Sequence, residues 1–424
     1  MSPVRSIGVL SCALGATLLV AAACHTTPDP RPGLAYKPPV NEPLLPPADA
    51  GVADAAGLPR GPLSCGDAPT SQAAFSKNAM LAAVAECAAW HTCMFENSAH
   101  VLKSSIDAAS SDASDGKRAT AQLAYRLAMD AWSKMELFQF GPMARQASDK
   151  YYGRGIRTYV HPWPDTSRCQ VETQVALKGY QKGFDLVFPS GRGLFAVEYL
   201  LHYPGEDSAC SRSSTAGTAW SGLSGDAIVQ AKRDYAKAVA ADVLGHAQSL
   251  SRVWSPSGEN FKAKLLSYEG YGSEQETLNV VAWSMLYVEK EVKDLKLGSL
   301  AGVQTSPPNL ETPYAQIDIE NIRSNLRAFQ SLYQGCGPSG AGLGFDDWLK
   351  AAGHAELAAE VDAQLQIAIA AAEAFPAFYN ATESEFADFY GKVRQLTTLL
   401  KTRVFGSASP LNLKLPASAA SDTD

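Results

Sequence analysis

A chain of 424 residues with 46% apolar side chains can bury one large core or two smaller ones in tandem. Its formal charge of −7 and the lack of any Lys/Arg run exclude nucleic acid as a partner, since phosphate binding needs a basic footprint. Past the first two dozen residues, no uninterrupted apolar stretch is long enough to cross a bilayer.

The start of the chain reads as an export signal. Residues 1–6 carry one charge, Arg5; 7–23 are uncharged and rich in Leu, Val and Ala; and Ala21, Ala22 and Ala23 precede Cys24. Small residues directly before a cysteine resemble the bacterial lipobox, in which that cysteine receives diacylglycerol, although Ala21 stands where Leu is usual. An uncleaved anchor or a cut elsewhere is the alternative. His25, rather than Asp, follows the cysteine, which by analogy with enterobacterial sorting predicts outer-membrane anchoring. The expected location is the cell envelope, facing the periplasm or the surface. Residues 25–70 are dense in Pro and Ala and read as an extended tether, because proline fixes φ and removes backbone donors.

Helical texture begins near Ser71. Phe75, Met80, Val84 and Trp90 lie in an Ala-rich stretch, and Leu123, Leu127, Trp132, Met135 and Leu137 roughly follow one helix face. Ile322, Leu326, Phe329 and Tyr333 repeat the spacing, as do Leu357, Val361, Leu365 and Ile369. A last helix starts on a capping box, Thr382 with Glu385, and carries Phe386, Phe389, Val393, Leu396 and Leu400 before a stop at Gly406. The best strand pattern, 156–160, is short. The predicted class is all-α. The triplet Ala-Trp-Ser recurs at 131–133 and 282–284, a hint of two related halves, 71–220 and 221–406, divided near Trp220; residues 407–424 read as a disordered tail.

Several blocks, in order, are similar to the imelysin family. They are Ala131-Trp132 through Glu136 to Phe140-Gly141-Pro142; Trp163-Pro164-Asp165; Arg192-Gly193-Leu194-Phe195 with Glu198; Tyr271-Gly272-Ser273; Lys293 to Gly298; Glu311-Thr312-Pro313-Tyr314; Asn325-Leu326; and Leu399 to Thr402. The resemblance covers about residues 75–405. It implies two tandem four-helix-bundle-like halves, export, a frequent link to iron acquisition through a partner protein, and a disputed metallopeptidase history with iron or zinc as the metal.

The metal-binding form of that family carries G-x-H-x-x-E, whose imidazole and carboxylate share a helix face. Gly193 and Glu198 match its ends, but Phe195 stands at the histidine position and has no lone pair to donate. The residue on which peptidase activity would rest is therefore missing, and the expectation is a non-catalytic protein. His202, four residues after Glu198, could join it in holding a metal, or simply hydrogen-bond to it; His161 could approach in space. Glu198 sits among Leu194, Phe195, Val197 and Leu200, so burying it demands a partner such as Arg192, a solvent-facing position or a polar site. Glu136 poses the same question, with a solvated face the simpler answer. Trp163 and Asp165 complete the candidates. His91, His100, His246 and His354 are scattered and read as surface or satisfied groups. No H-E-x-x-H, G-x-S-x-G or P-loop is present.

Besides Cys12 and Cys24 there are six cysteines, Cys65, Cys87, Cys93, Cys169, Cys210 and Cys336, an even set that suggests disulfides in an exported chain. Cys87 and Cys93 would lie roughly 9 Å apart along one helix and cannot bond each other. Cys169 with Cys210 is the preferred bridge, clamping the segment that carries Glu198. Zinc binding by cysteines is the minor rival, since no paired C-x-x-C appears.

Overall fold

The computed structural model describes residues 58–112, 114–304 and 308–416, so Cys24, the leader, most of the tether and the last residues of the tail lie outside the described residues. Within them there are thirteen α-helices and no strand. First come α1 (Lys77–Ser111), α2 (Asp115–Met135), α3 (Arg157–Val160), α4 (Arg168–Leu177), α5 (Gly193–His202), α6 (Thr215–Ser221) and α7 (Gly225–Trp254). Then follow α8 (Phe261–Leu266), α9 (Glu274–Ala282), α10 (Asp318–Tyr333), α11 (Phe345–Ala351), α12 (Ala355–Ala374) and α13 (Glu383–Leu399), with a π-helical segment, Val288–Leu297, ahead of α10.

Two packed groups result. In the first, α1 lies against α2 and α7, and α5 fits between α2 and α7; in the second, α12 packs on α10 and α13, and the π-helical segment packs on α10 and α13. The contact of α2 with α10 joins them. Helix α7 begins just after Trp220, where the two halves were expected to divide, and packs with the first group, its stripe from Ile228 through Tyr235, Val239 and Val243 to Leu250 buried.

The helix faces differ in detail from the simple pattern. On α2 the buried face is Ala121, Ala124, Tyr125, Ala128, Met129 and Trp132, while Leu123 and Leu127 are only half-buried. Small alanines on the inner face let neighbouring helix axes approach closely. On α10 Ile322, Leu326, Phe329 and Tyr333 are fully buried, as expected. The Thr382–Glu385 capping box opens α13, which ends in a π-helical turn, Leu400–Val404, before Gly406 at φ +90°. Residues 156–160 do not form a strand. No partner strand is available among the described residues, and Arg157–Val160 instead make one helical turn that buries Arg157 against Glu136.

Two expected loose ends are packed. Leu411 and Leu413 are buried, and Leu413 bridges to Phe405, so the start of the tail folds back onto the core. At the other end, Cys65 is bonded to Cys93 of α1, which ties the last stretch of the tether to the bundle. Cys87 bonds Cys336, and Cys169 bonds Cys210, the expected bridge, bracketing α5. Among the described residues no helix is long and apolar enough to cross a membrane.

Candidate functional site

The site forms where the two groups meet, and Gly193 explains the approach. Its φ is +71°, and a Cβ there would lie 2.4 Å from the Val160 carbonyl oxygen. Only glycine lets the start of α5 press against α3 in this conformation. Phe195, at the histidine position of the resembled motif, is buried and packs 6.2 Å from the Tyr314 ring.

Glu198, one turn further along α5, is fully buried. Its Oε1 accepts hydrogen bonds from the backbone N–H groups of Tyr314 (2.7 Å) and Ala315 (2.8 Å). Burial pushes its carboxyl well above the usual range, against the pull of those two donors. Arg192 does not pair with it. That guanidinium clamps Asp242 on α7 and donates to the Phe184 carbonyl at 2.9 Å, held between the rings of Phe184 and Tyr159.

The loop that meets Glu198 is shaped from α10. Asp318, the first residue of that helix, accepts through Oδ1 from the N–H groups of Glu311 (2.8 Å) and Thr312 (3.1 Å). Burial, reinforced by Glu311, pushes the Asp318 carboxyl up to about 6. Burial would raise Glu311 too, but Lys296, with Nζ 2.8 Å from Oε2, and His161, with Nε2 3.2 Å from Oε1, hold it well below the usual range. Lys296 also donates to Asn325 Oδ1 at 2.8 Å and lies 3.7 Å from Glu136.

Glu136 is thus not on a solvated face. It is fully buried, 3.3 Å from the Arg157 Nε, whose other arm reaches Glu291 at 2.8 Å. An ion network satisfies it, which is how a buried carboxylate escapes the cost of desolvation. His161 is likewise buried inside the network, whereas Trp163 donates to the Asn309 carbonyl and Asp165 is exposed.

His202 is buried against the Tyr125 ring and pushed down to about 3 by burial and Arg126, hence neutral. Glu198 Oε2, His202 Nε2, Tyr125 Oη and His161 Nδ1 are all buried without a hydrogen-bond partner among the described residues. Those atoms do not make a closed cation centre. The one group of three His/Cys/Asp/Glu side chains with converging ligand atoms among the described residues is Cys87, His91 and Cys336, away from Glu198 in the chain and consumed in part by a disulfide. Glu198 with His202 could offer a metal two ligands at most, short of the three or four of a protein-bound zinc.

Beside the network runs a groove of about 290 Å³ lined by Arg145, Arg157, Thr158, His161, Trp163, Asp165 and Phe188. A wider recess of about 430 Å³ continues from it past the shared Arg145 and Thr158 to Arg154 and Tyr159. Arg157 and Arg154 are paired with Glu136 and Glu291 and with Glu259. Arg145 is exposed and makes no ion pair among the described residues. Sequence reading missed Arg145 and Arg157, which stand in no recognisable motif. Lys296, Glu311 and Asn325 did lie within the resembled blocks, so the convergence of those blocks was the available signal.

The family described as imelysin matches residues 94–403. A curated relative, iron-regulated protein A of Synechococcus elongatus, is 24% identical over 65% of this chain and 68% of its own length. Two crystal structures share the fold. One is an imelysin-like protein from Psychrobacter arcticum (14% identity, TM-score 0.58, 78% of this chain and 95% of that chain). The other is described as an iron-regulated protein A precursor from Parabacteroides distasonis (17%, TM-score 0.60, again 78% and 95%).

Proposed function

The chain belongs to the imelysin family, and on that premise we propose that it is an exported, envelope-tethered, non-hydrolytic protein that binds an anionic metal complex in iron acquisition. One observation carries the reading. Where the family motif has a metal-ligating imidazole this chain has Phe195, and the remaining Glu198 is buried with one carboxylate oxygen held by two backbone N–H groups. A water-activating metal needs several fixed protein ligands and an open position. A metal that arrives already chelated needs instead a recognition surface for its chelator. The groove has that chemistry, with exposed Arg145 beside the exposed ring of Phe188. The name of the cyanobacterial relative supports the link to iron.

The test is calorimetry on the full chain with ferric citrate, ferrous iron and zinc. Ferric citrate is expected to bind, and Arg145→Ala to weaken it by about tenfold or more, the worth of one charge-assisted contact. The bare ions are expected to give no heat. Zinc-dependent cleavage of an unfolded protein, abolished by Glu198→Ala, would restore the metallopeptidase reading. No binding and no cleavage would leave a structural adaptor.

Envelope attachment through a lipid on Cys24, at the outer membrane, belongs to the same proposal, and the three disulfides support an oxidising compartment. Cys24→Ala should move the protein from the membrane fraction to the soluble one. Unchanged fractionation would contradict the anchor.

A further inference from the structure

Cys87 and His91 are four residues apart and share one face of α1, and the Cys87–Cys336 disulfide ties that face to the turn after α10. A ring nitrogen of His91 and the two sulfurs all lie within 4.8 Å of one another. The three residues are 1%, 4% and 8% exposed in chain order, and His91 Nε2 has no hydrogen-bond partner among the described residues. Burial, with Lys134 adding, pushes the His91 imidazole down to about 3, so it is neutral and keeps a lone pair. Trp90 and Phe138 hold its ring in place at centroid distances of 4.8 and 5.3 Å.

We propose that Cys87, Cys336 and His91 form a thiolate–imidazole site that, once the disulfide is reduced, binds a borderline divalent cation of the zinc class in place of the covalent staple. A protein dithiol supplies two electrons and two protons, its own sulfurs ending as a disulfide; the Cys87–Cys336 bond breaks and leaves two thiols. The cation then displaces both thiol protons to solvent, giving two thiolates and one imidazole, with a fourth position for water. Two thiolates neutralise a dication, which makes the pairing tolerable in an apolar surround. Ligand atoms at roughly 2.3 Å (sulfur) and 2.0 Å (nitrogen) from a tetrahedral cation stand about 3.5–3.8 Å from one another, so on reduction the two sulfurs move apart while the imidazole draws in slightly. The bond between α1 and the second helical group would thus survive reduction in another form.

The experiment uses a full chain in which every cysteine except Cys87 and Cys336 is serine, reduced, freed of reductant without air, and titrated with Co²⁺. One ion per chain with thiolate-to-cobalt absorption is expected after reduction and none before. His91→Phe should weaken binding by more than about tenfold, the low end of what even supporting residues of a metal site cost. Absence of the absorption in a reduced chain that remains helical by circular dichroism overturns the proposal, as does a His91→Phe chain that binds equally well. Should the serine-substituted chain fail to fold, the reduced wild-type chain is compared with Cys87→Ser plus Cys336→Ser. One ion fewer per chain supports the site, and unchanged stoichiometry overturns it.

Discussion

Asp318 and Glu198 show how single side chains organise the junction. Both carboxyls are buried, both accept backbone N–H groups, and burial raises both. For a raised carboxyl, the native state keeps a proton that the unfolded chain gives up. Asp318 therefore contributes fully below pH 3.8 and loses that contribution as pH rises through about 6. Asp318→Asn keeps the accepting oxygen and removes the titration. The variant is expected to match wild type near pH 3.8 and to exceed it at neutral pH by on the order of 2–3 kcal/mol, read from urea denaturation at each pH. A wild type more stable than the variant at neutral pH would mean that burial does not raise the Asp318 carboxyl above its unfolded value. The sequence made the cost of burying Glu198 visible, since apolar neighbours surround it. Its solution was not visible, because the two donors come from residues 314 and 315, more than a hundred positions away.

Elements meet here through local backbone requirements as well as through apolar faces. The start of α5 is the sharpest case. Alanine at position 193 would face both a left-handed φ of +71° and a carbonyl oxygen 2.4 Å from its Cβ. Gly193→Ala should cost about 2 kcal/mol or more in a denaturant melt. A loss below about 0.5 kcal/mol would show that α5 can slide on α3 without penalty. Helix faces with four-residue spacing, such as that of α10, were legible because periodicity is a local property. The 156–160 pattern failed because alternation specifies a strand only when another strand is there to pair with.

At the scale of the molecule, disulfides fasten the first group at its start and bind it to the second. Cys87–Cys336 closes a separation of 249 residues, Cys65–Cys93 one of 28. On the chain-entropy argument, serine at both positions of the longer bridge should destabilise the oxidised protein by roughly 5 kcal/mol, against roughly 3–4 kcal/mol for the shorter one. Chemical denaturation of the two double variants tests the order, and the reverse order would mean that loop length does not govern the effect. Both groups also share charge. Glu136 of the first is held by Lys296 and Asn325 of the second, so a polar seam runs through the apolar core that the two groups share.

The helical class, the capping box of α13, the absence of an imidazole at 195 and the bracketing of α5 by Cys169 and Cys210 could all be read along the chain. Each depends on residues near one another or on a residue's own chemistry. Which cysteines meet across 249 positions, that α7 joins the first group, and that Glu136 and Glu311 share one lysine were decided only by the tertiary structure. Such meetings are set by which apolar faces bury each other, and no local pattern carries that information.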